Sequence, residues 1–231
     1  MGTQLPIILQ AKKIKKAFYQ PVEVEVLKEI NLTVCAGDTV AIMGRSGEGK
    51  STLLQILGTL DNPTSGNLEI DGAPVTAFNK SMLRNKKFGF IFQSFHLLED
   101  YTAIENVLMP ARIGRQPAQK GTVVHERACN LLKEVGLHKR LHFNTKLLSG
   151  GEKQRVSIAR ALCNDPDIIL ADEPSGNLDR QTAKDIHELL LRFVGQFNKT
   201  LIVVTHDIEL AKLCKYQYRM MDGKLELITR P

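Results

Sequence analysis

The chain has 231 residues, 43% of them hydrophobic, which is enough to bury the core of one large domain or of a domain with an inserted lobe. No apolar run approaches the roughly 18 residues that mark a membrane span, so a membrane-spanning chain is not expected. The N-terminal stretch lacks the basic region of a signal peptide, and we therefore expect a cytosolic protein. The net charge of +6 suits nucleic acid, an anionic membrane surface or a nucleotide equally, so it selects no partner.

The first predicted elements are antiparallel strands within residues 7–34. Apolar and polar residues alternate there, as at Ile30 and Leu32, and a period of two is typical of half-buried strands. Phe18 and Tyr19 lie in the turn, where this stretch alone favours a ring that caps the core over one that stacks on a base. A lysine cluster in the first strand is best explained as a solvated strand edge, with a binding patch as the alternative. Its members are Lys12, Lys13, Lys15 and Lys16.

A buried strand, a glycine-rich turn and a helix start follow one another between residues 39 and 57. The turn has the spacing G-x-x-x-x-G-K-S of a phosphate-binding loop. Glycines let the backbone amides curl around an anion, and the first turn of the helix adds unpaired N–H groups. Lys50 is expected to reach the β- and γ-phosphates, and the Ser51 hydroxyl to bind Mg²⁺. The loop consists of Gly44, Arg45, Ser46, Gly47, Glu48, Gly49, Lys50, Ser51 and Thr52.

Farther along the chain, short apolar runs alternate with helical segments. Strands are predicted at 67–70, 88–92, 168–171 and 201–204, and a closing hairpin at 216–228. Residues 94–148 are predicted to form an inserted helical lobe, in which 114–121 is an exposed linker. One helix of the lobe has its buried face at Ala128, Leu131, Leu132 and Val135. This order predicts an α/β fold with a mainly parallel sheet covered on both faces, an N-terminal antiparallel β subdomain and the helical lobe.

The cysteines and most of the histidines receive no chemical role. The cysteines are widely separated and form no C-x-x-C pair, so small buried hydrophobic residues are expected rather than a zinc site or disulfides. They are Cys35, Cys129, Cys163 and Cys214. The histidines without a role are His96, His125, His138, His142 and His187.

Polar side chains follow three predicted strands at the end where open α/β sheets bind ligands. Asp172 ends an apolar run, which is the Walker B arrangement that holds Mg²⁺. Glu173 is expected to orient or deprotonate the attacking water. Gln93 is expected to contact both Mg²⁺ and that water, and His206 to donate a hydrogen bond to the γ-phosphate. With the phosphate loop, these groups predict one convergent site.

A second phosphate-type turn opens the helix that begins near residue 150. It consists of Ser149, Gly150, Gly151 and Glu152. Taken together, the phosphate loop, the polar strand ends and this second turn resemble the ATP-binding subunits of ABC transporters. The resemblance extends over essentially the whole chain. LSGGEKQ resembles the family's signature, Gln93 its Q-loop, Ser175 to Asp179 its D-loop and His206 its switch histidine.

The resemblance implies a single ATPase domain over residues 1–231, with the P-loop NTPase (RecA-like) fold. The RecA-like and β core would occupy about 1–93 and 160–231, and the helical subdomain about 94–159. ATP and Mg²⁺ are the implied cofactors. Two copies would bind head to tail, with ATP between the phosphate loop of one and Ser149 to Gly151 of the other.

Further roles follow from the same resemblance. Phe18, with Tyr19 as the alternative, matches the aromatic residue that stacks on adenine, and Asp179 would connect the two ATP sites. Residues 95–99 and Tyr101 are candidates for the groove that binds an integral membrane partner, with the core of the helical lobe as the competing account. The chain would then lie at the cytoplasmic face of the inner membrane.

Within the family, ADEPSGNLD, LGTLDNPTSG and YTAIENVLMP resemble the lipoprotein-releasing (Lol-type) ATPases. Macrolide-export and cell-division ATPases are near relatives that share these features. One rival function is a soluble ABC-type ATPase that acts on nucleic acid or the ribosome. The chain has one nucleotide domain and no second signature motif, which argues against this rival. A nonhydrolysing binding module is the third option.

Glu48 departs from the family pattern, because relatives usually have a small residue at this position. Arg45 is also unusual for the family. A carboxylate near a triphosphate repels it. We therefore expect Glu48 to point outward, so that only its backbone N–H serves the phosphates. This placement predicts that Glu48→Ser does not tighten ATP binding by far more than tenfold.

Overall fold

The computed structural model describes residues 5–19 and 22–229. Contacts divide the chain into two compact units, Met1–Arg84 with Lys199–Pro231, and Asn85–Asn198. In chain order the elements are β1 (Ile7–Phe18), β2 (Val24–Cys35), β3 (Thr39–Met43), α1 (Lys50–Leu57), β4 (Ser65–Ile70), β5 (Ala73–Pro74), α2 (Lys80–Lys86), β6 (Phe88–Ile91), α3 (Ala103–Ile113), α4 (Val123–Glu134), α5 (Gly150–Leu162), β7 (Ile168–Asp172), α6 (Arg180–Gln196), β8 (Thr200–Thr205), α7 (Ile208–Lys212), β9 (Tyr216–Met221) and β10 (Lys224–Thr229).

The first unit contains the predicted antiparallel sheet, with strand order β2-β1-β4-β5. The period of two holds at Ile30, Leu32 and Val34 of β2. Register shifts interrupt it in β1, where Leu9 and Ile14 are fully buried. The strand-edge explanation of the lysine cluster is wrong, because β1 pairs with β2 on one side and with β4 on the other. The exposed lysines instead lie on an outward face, where the Lys12 ammonium lies 2.9 Å from the Glu69 carboxylate.

The second sheet of the first unit has the strand order β10-β9-β3-β8. β3 is parallel to both neighbours, with Met43 opposite Thr205 of β8 and Arg219 of β9. β10 closes the sequence as the antiparallel arm of the predicted hairpin. Every residue of β8 is buried, which is typical of a strand covered on both faces.

The second unit combines the parallel pair β6 and β7 with four helices. α3 begins at a capping box in which Thr102 and Glu105 bond each other's backbone N–H groups. The predicted buried face of α4 is confirmed, since Ala128, Leu131, Leu132 and Val135 are all buried. Residues 114–121 connect α3 to α4 and are largely exposed, as predicted. The limits of a separate helical subdomain at 94–159 stay a prediction.

Two of the four cysteines match the expectation of buried hydrophobic residues. Burial raises the pKa of Cys163 to about 11 and that of Cys214 to about 12, so both are protonated at neutral pH. Cys35 and Cys129 are only half-buried, and for them the expectation is wrong.

Gly89 of β6 allows α5 to pack directly on the strand. A Cβ at Gly89 would collide with the carbonyl oxygen of Ala161, a rigid backbone atom. We expect Gly89→Ala to lower the free energy of unfolding by about 2 kcal/mol and the Tm by about 4–8 °C. Thermal denaturation measures this change. Gly195→Ala is the matched control, because a Cβ there meets nothing within 4 Å; on α6 it should stabilise by about 0.5 kcal/mol. An unchanged Tm for Gly89→Ala would contradict the packing.

Candidate functional site

The phosphate loop follows β3, as predicted, and its last three residues, Lys50 to Thr52, begin α1. Gly47 and Gly49 have φ values of 85° and 93°, which is the left-handed region that glycine tolerates best. Gly49 is the N-cap of α1 and supplies no side-chain hydrogen bond to the helix. The N-cap side chain therefore does not compete with an anion at this helix start.

Lys50 is buried, and its ammonium group is turned back onto the loop. Its Nζ donates to the carbonyl oxygens of Gly44 and Arg45, each at 2.9 Å. These two bonds hold the positive charge beside the curled backbone, which is where the sequence predicted a phosphate-binding lysine.

Glu48 does not point outward, and the expectation from the sequence is wrong on this point. Its Oε2 accepts a 2.6 Å hydrogen bond from the backbone N–H of Arg45. The same carboxylate oxygen lies where a Cβ of Gly44 would stand. The short reach from position 48 to a free N–H inside the curl favours this contact over an extended side chain. The loop therefore contains its own carboxylate, bound to one of the amides that an anion would use.

His206 lies beside the phosphate loop within the first unit. Met43 is opposite Thr205 in the parallel pair of β3 and β8, so Gly44 and His206 begin the next segments at the same end of these strands. The His206 side chain is exposed. Asp207 follows as the N-cap of α7 and accepts bonds from the N–H groups of Glu209 and Leu210, at 2.8 and 3.1 Å.

In the second unit, Gln93 and the acidic pair follow neighbouring parallel strands. Ile91 of β6 is opposite Ala171 of β7, so Gln93 and Asp172 lie at the same end of the pair. Glu173 has a φ of 43°. A bulky residue in this left-handed region costs about 1 kcal/mol or more and is typical of functional sites. Convergence of these groups with those of the first unit stays a prediction.

Asn177 lies within the predicted D-loop, but its contact with Gln93 was not predicted from the sequence. Its amide group donates to the Gln93 carbonyl at 2.9 Å, and its Oδ1 accepts from the Gln93 amide at 3.3 Å. Gly176 allows this approach, since a Cβ there would lie 2.9 Å from the Gln93 amide nitrogen. Asn177 stands inside ADEPSGNLD, and the only signal was its place between the Walker B run and Asp179.

The second phosphate-type turn is a capping box at the start of α5. Ser149 Oγ accepts from the Glu152 N–H at 3.3 Å, and Glu152 Oε2 accepts from the Ser149 N–H at 2.9 Å. This backbone hydrogen bond and the Ser149 hydroxyl lower the pKa of Glu152, with a further contribution from Arg140. Gly150 and Gly151 follow as the first helical residues, and a Cβ on Gly151 would lie 2.7 Å from Thr182.

Asp179 caps α6 with its carboxylate. One oxygen accepts from the N–H groups of Gln181 and Thr182, both at 3.1 Å, and the other from the Thr182 hydroxyl at 2.6 Å. These bonds, led by that from the Thr182 hydroxyl, lower the pKa of the exposed Asp179 carboxyl. The end of the predicted D-loop is therefore anchored to α6.

The family model described as ABC transporter matches residues 27–176 of the chain. This range contains the phosphate loop, Gln93, the capping box at Ser149 and the Asp172–Glu173 pair. The chain belongs to the ABC transporter family. It is an ATP-binding ATPase of that family, with the α/β fold class and P-loop NTPase core that the sequence predicted.

Curated and solved relatives align with nearly the whole of this ABC ATPase. It is 60% identical over 225 residues to the lipoprotein-releasing system ATP-binding protein LolD of Protochlamydia amoebophila (strain UWE25), covering 97% of this chain and 99% of that one. It is 39% identical to the dimeric structure of MJ0796, a bacterial ABC transporter cassette, with a TM-score of 0.86 over 95% of this chain and 97% of that one. A dimeric post-hydrolysis state of MJ0796 bound to ADP and Pi gives 38% identity, the same TM-score and the same coverage.

The two candidate adenine-stacking residues of this ABC ATPase are both exposed. Phe18 is 45% exposed and Tyr19 is 62% exposed, so the alternative that either ring caps the core is wrong. The Lys16 ammonium lies 5.1 Å from the centre of the Phe18 ring, a cation–π contact that orients the ring. Phe18 ends β1, whereas Tyr19 follows the strand.

The candidate partner groove is not part of a core. None of residues 95–99 and Tyr101 is buried, so the competing account is wrong. Phe95 and His96 have φ values of 59° and 47°. Arg160 of α5 holds them by donating to the carbonyl oxygens of Phe95 at 2.7 Å and His96 at 2.5 Å. Burial lowers the pKa of Arg160 to about 10, and it remains a cation at neutral pH. In the described residues, no helix is both long and apolar enough to cross a bilayer.

The carboxylate inside the phosphate loop leads to a testable result. We expect Glu48→Gln to lower the Kd for ATP about fivefold to thirtyfold, because the change removes a negative charge worth about 1–2 kcal/mol next to the triphosphate. Titration of the purified chain with a fluorescent ATP analogue measures the Kd. Glu126→Gln, which removes the same charge from the exposed face of α4, is the control and should leave the Kd unchanged. An unchanged or higher Kd for Glu48→Gln would contradict this account.

Proposed function

We propose that this ABC ATPase powers the release of lipoproteins from the inner membrane, as the subunit that binds and hydrolyses ATP for integral membrane partners. The observation that carries the proposal is the 60% identity with LolD over nearly the full length of both chains. Related export and cell-division ATPases are the alternative within the family. The chain would act at the cytoplasmic face of the membrane, attached through its partners.

Binding of ATP is assigned to named groups of the first unit. The curled amides of residues 44–49 and the uncapped start of α1 receive the phosphates, and the Lys50 ammonium supplies positive charge. The exposed Phe18 ring offers its face to adenine, with Tyr19 as the alternative. His206 would donate a hydrogen bond to the γ-phosphate. In this proposal the Glu48 carboxylate leaves the Arg45 amide when ATP binds.

The chain also offers the ligands that Mg²⁺ prefers, which are oxygen atoms. They are the Ser51 hydroxyl at the start of α1, the Gln93 side-chain carbonyl and the Asp172 carboxylate at the end of β7. Their chemistry suits a magnesium ion, and in this proposal they would hold it. When bound, Mg²⁺ neutralises charge on the phosphates.

Glu173 is proposed as the general base of hydrolysis, and Gln93 as the residue that orients the attacking water. The Glu173 carboxylate would take a proton from the attacking water, and the Gln93 amide would orient that water. The pairing of Gln93 with Asn177 fixes the Gln93 main chain and side chain together, which supports this role.

We further propose a head-to-tail homodimer in which ATP lies between the phosphate loop of one copy and Ser149 to Gly151 of the other. The solved MJ0796 relative is dimeric. Ser149 is the N-cap of α5, so its hydroxyl lies at the positive end of that helix, which would suit a phosphate group. Asp179 would communicate between the two ATP sites, and residues 95–99 with Tyr101 would bind the membrane partner.

Reconstitution tests this function. The chain would be purified with its own membrane partners and placed in vesicles loaded with an acylated lipoprotein. We expect ATP to release the lipoprotein into the aqueous phase, and Glu173→Gln to abolish release. A non-acylated form of the same protein is the substrate control. If ATP hydrolysis is instead stimulated by DNA or ribosomes and no lipoprotein is released, the rival function is correct.

A further inference from the structure

A buried hydrogen bond joins the segment after Glu173 to the middle of α6. Ser175 Oγ and His187 Nε2 are 2.7 Å apart, and the two residues are only 8% and 4% exposed. The sequence reasoning assigned His187 no role. A bond this short between two buried polar groups is worth more than a surface contact, because loss of either partner removes this bond from a buried polar atom of the other.

The backbone beside this bond is tightly constrained. Glu173 has the left-handed φ described above, and its carbonyl oxygen accepts from the Gly176 N–H at 3.0 Å. Gln154 of α5 donates to the Pro174 carbonyl at 2.6 Å, in a buried contact. Side chains from α5 and α6 therefore hold this segment at two successive residues, Pro174 and Ser175.

The same segment carries the groups assigned to chemistry. Gly176 and Asn177 immediately follow Ser175, and Asn177 forms the two hydrogen bonds with Gln93. Leu178 lies close to Gly150 of the signature motif. A Cβ on Gly150 would lie 3.3 Å from the Leu178 side chain. A shift of Ser175 would therefore displace the Gln93 contact and the start of α5.

We propose that His187 is a positioning residue for ATP hydrolysis, which fixes Ser175 and through it the geometry of Glu173 and of the Gln93–Asn177 pair. The inference rests on the proposed roles of Glu173 and Gln93. His187 touches neither ATP nor water in this account. Its imidazole acts through the Ser175 hydroxyl, and misplacement of a catalytic group by about 1 Å costs up to about a hundredfold in rate.

The position of His187 on α6 separates this role from plain core filling. Its neighbours Ile186, Leu189 and Leu190 are apolar and buried, and an apolar residue at position 187 would extend that surface. If His187 served only to fill space, leucine would replace it without loss of rate. If it positions Ser175, only a side chain with a hydrogen-bonding atom at the place of Nε2 will serve.

The test compares His187→Leu with His187→Gln, whose amide nitrogen reaches a place close to that of Nε2. For His187→Leu we expect kcat to fall about tenfold to a hundredfold while the KM for ATP stays within about twofold. His187→Gln should recover most of the rate. Ser175→Ala should reproduce the loss, and the double variant Ser175→Ala with His187→Leu should lose no more than either single variant, because both changes remove one interaction.

Two controls make the result decisive. Leu189→Ala, a buried substitution on the same helix, should lower the Tm without changing kcat at a temperature where the variant is folded. A kcat for His187→Leu equal to that of the unmodified chain, or no recovery by His187→Gln, would overturn the inference. Glu173→Gln separates the two proposals. If it hydrolyses ATP at the full rate, the proposed mechanism fails, whereas if it is inactive and His187→Leu is fully active, only the positioning role fails.

Discussion

Glu173→Gln is expected to lower kcat for ATP hydrolysis at least about a hundredfold, the loss typical for removal of a general base. The change keeps the shape of the side chain and the backbone turn that the Gly176 N–H closes on the Glu173 carbonyl. ATP should therefore bind with an affinity within about threefold of normal. Because bound ATP is no longer consumed, the ATP-bound dimer should accumulate and elute as a dimer in size-exclusion chromatography with ATP and Mg²⁺.

The matched control for this result is Glu188→Gln. Glu188 lies on the exposed face of α6, and its replacement by glutamine makes the same chemical change away from the strand end. The control should keep the normal rate and elute as a monomer after the ATP is exhausted. If Glu173→Gln hydrolyses ATP at an unchanged rate, Glu173 is not the base.

Ser149→Phe is expected to reduce hydrolysis at least about fiftyfold by preventing closure of the dimer, since it puts a bulky ring where the γ-phosphate of the other copy's ATP would lie. The affinity of a single copy for ATP should not change, because Ser149 would contact only the nucleotide of its neighbour. Combined with Glu173→Gln, it should abolish the ATP-dependent dimer. Equilibrium titration measures the affinity for ATP, and size-exclusion chromatography measures the formation of the dimer.

The capping role of Ser149 requires its own control. Ser149→Ala removes the hydroxyl that accepts from the Glu152 N–H and should cost about 1 kcal/mol of stability. It introduces no bulk, so it should preserve more of the dimer than Ser149→Phe does. Full hydrolysis by Ser149→Phe as a monomer would refute the head-to-tail arrangement.

Most of the elements near the site could be predicted because their signals are local. The run at 39–43, the glycine spacing after it and the serine-led turn at 149 each determine backbone conformation over a few residues. Strand ends were predictable for the same reason, so Gln93, Asp172 and His206 were correctly placed at the carboxyl ends of their strands. Local patterns are reliable where φ, capping and period alone decide the structure.

The errors concern side-chain direction and strand neighbours. Glu48 was expected to face outward but bonds Arg45 inside the loop, and the lysines of β1 were placed at an edge although β4 pairs there. No pattern in the sequence indicated that Asn177 would meet Gln93, which is 84 residues away. Contacts of this kind depend on which elements become neighbours in the fold, and the local pattern of a single sequence does not indicate those neighbours.

The sequence by itself determined that this chain has an α/β core with a phosphate loop, an acidic strand end and a second glycine-containing turn at a helix start, because hydrophobic period and glycine spacing act over a few residues. Only the tertiary structure decided which partner each polar side chain takes. The Ser175–His187 bond exists because packing brings α6 against the segment after Glu173 and excludes water from the two groups, whereas the Glu48 contact depends on how the loop folds back on itself.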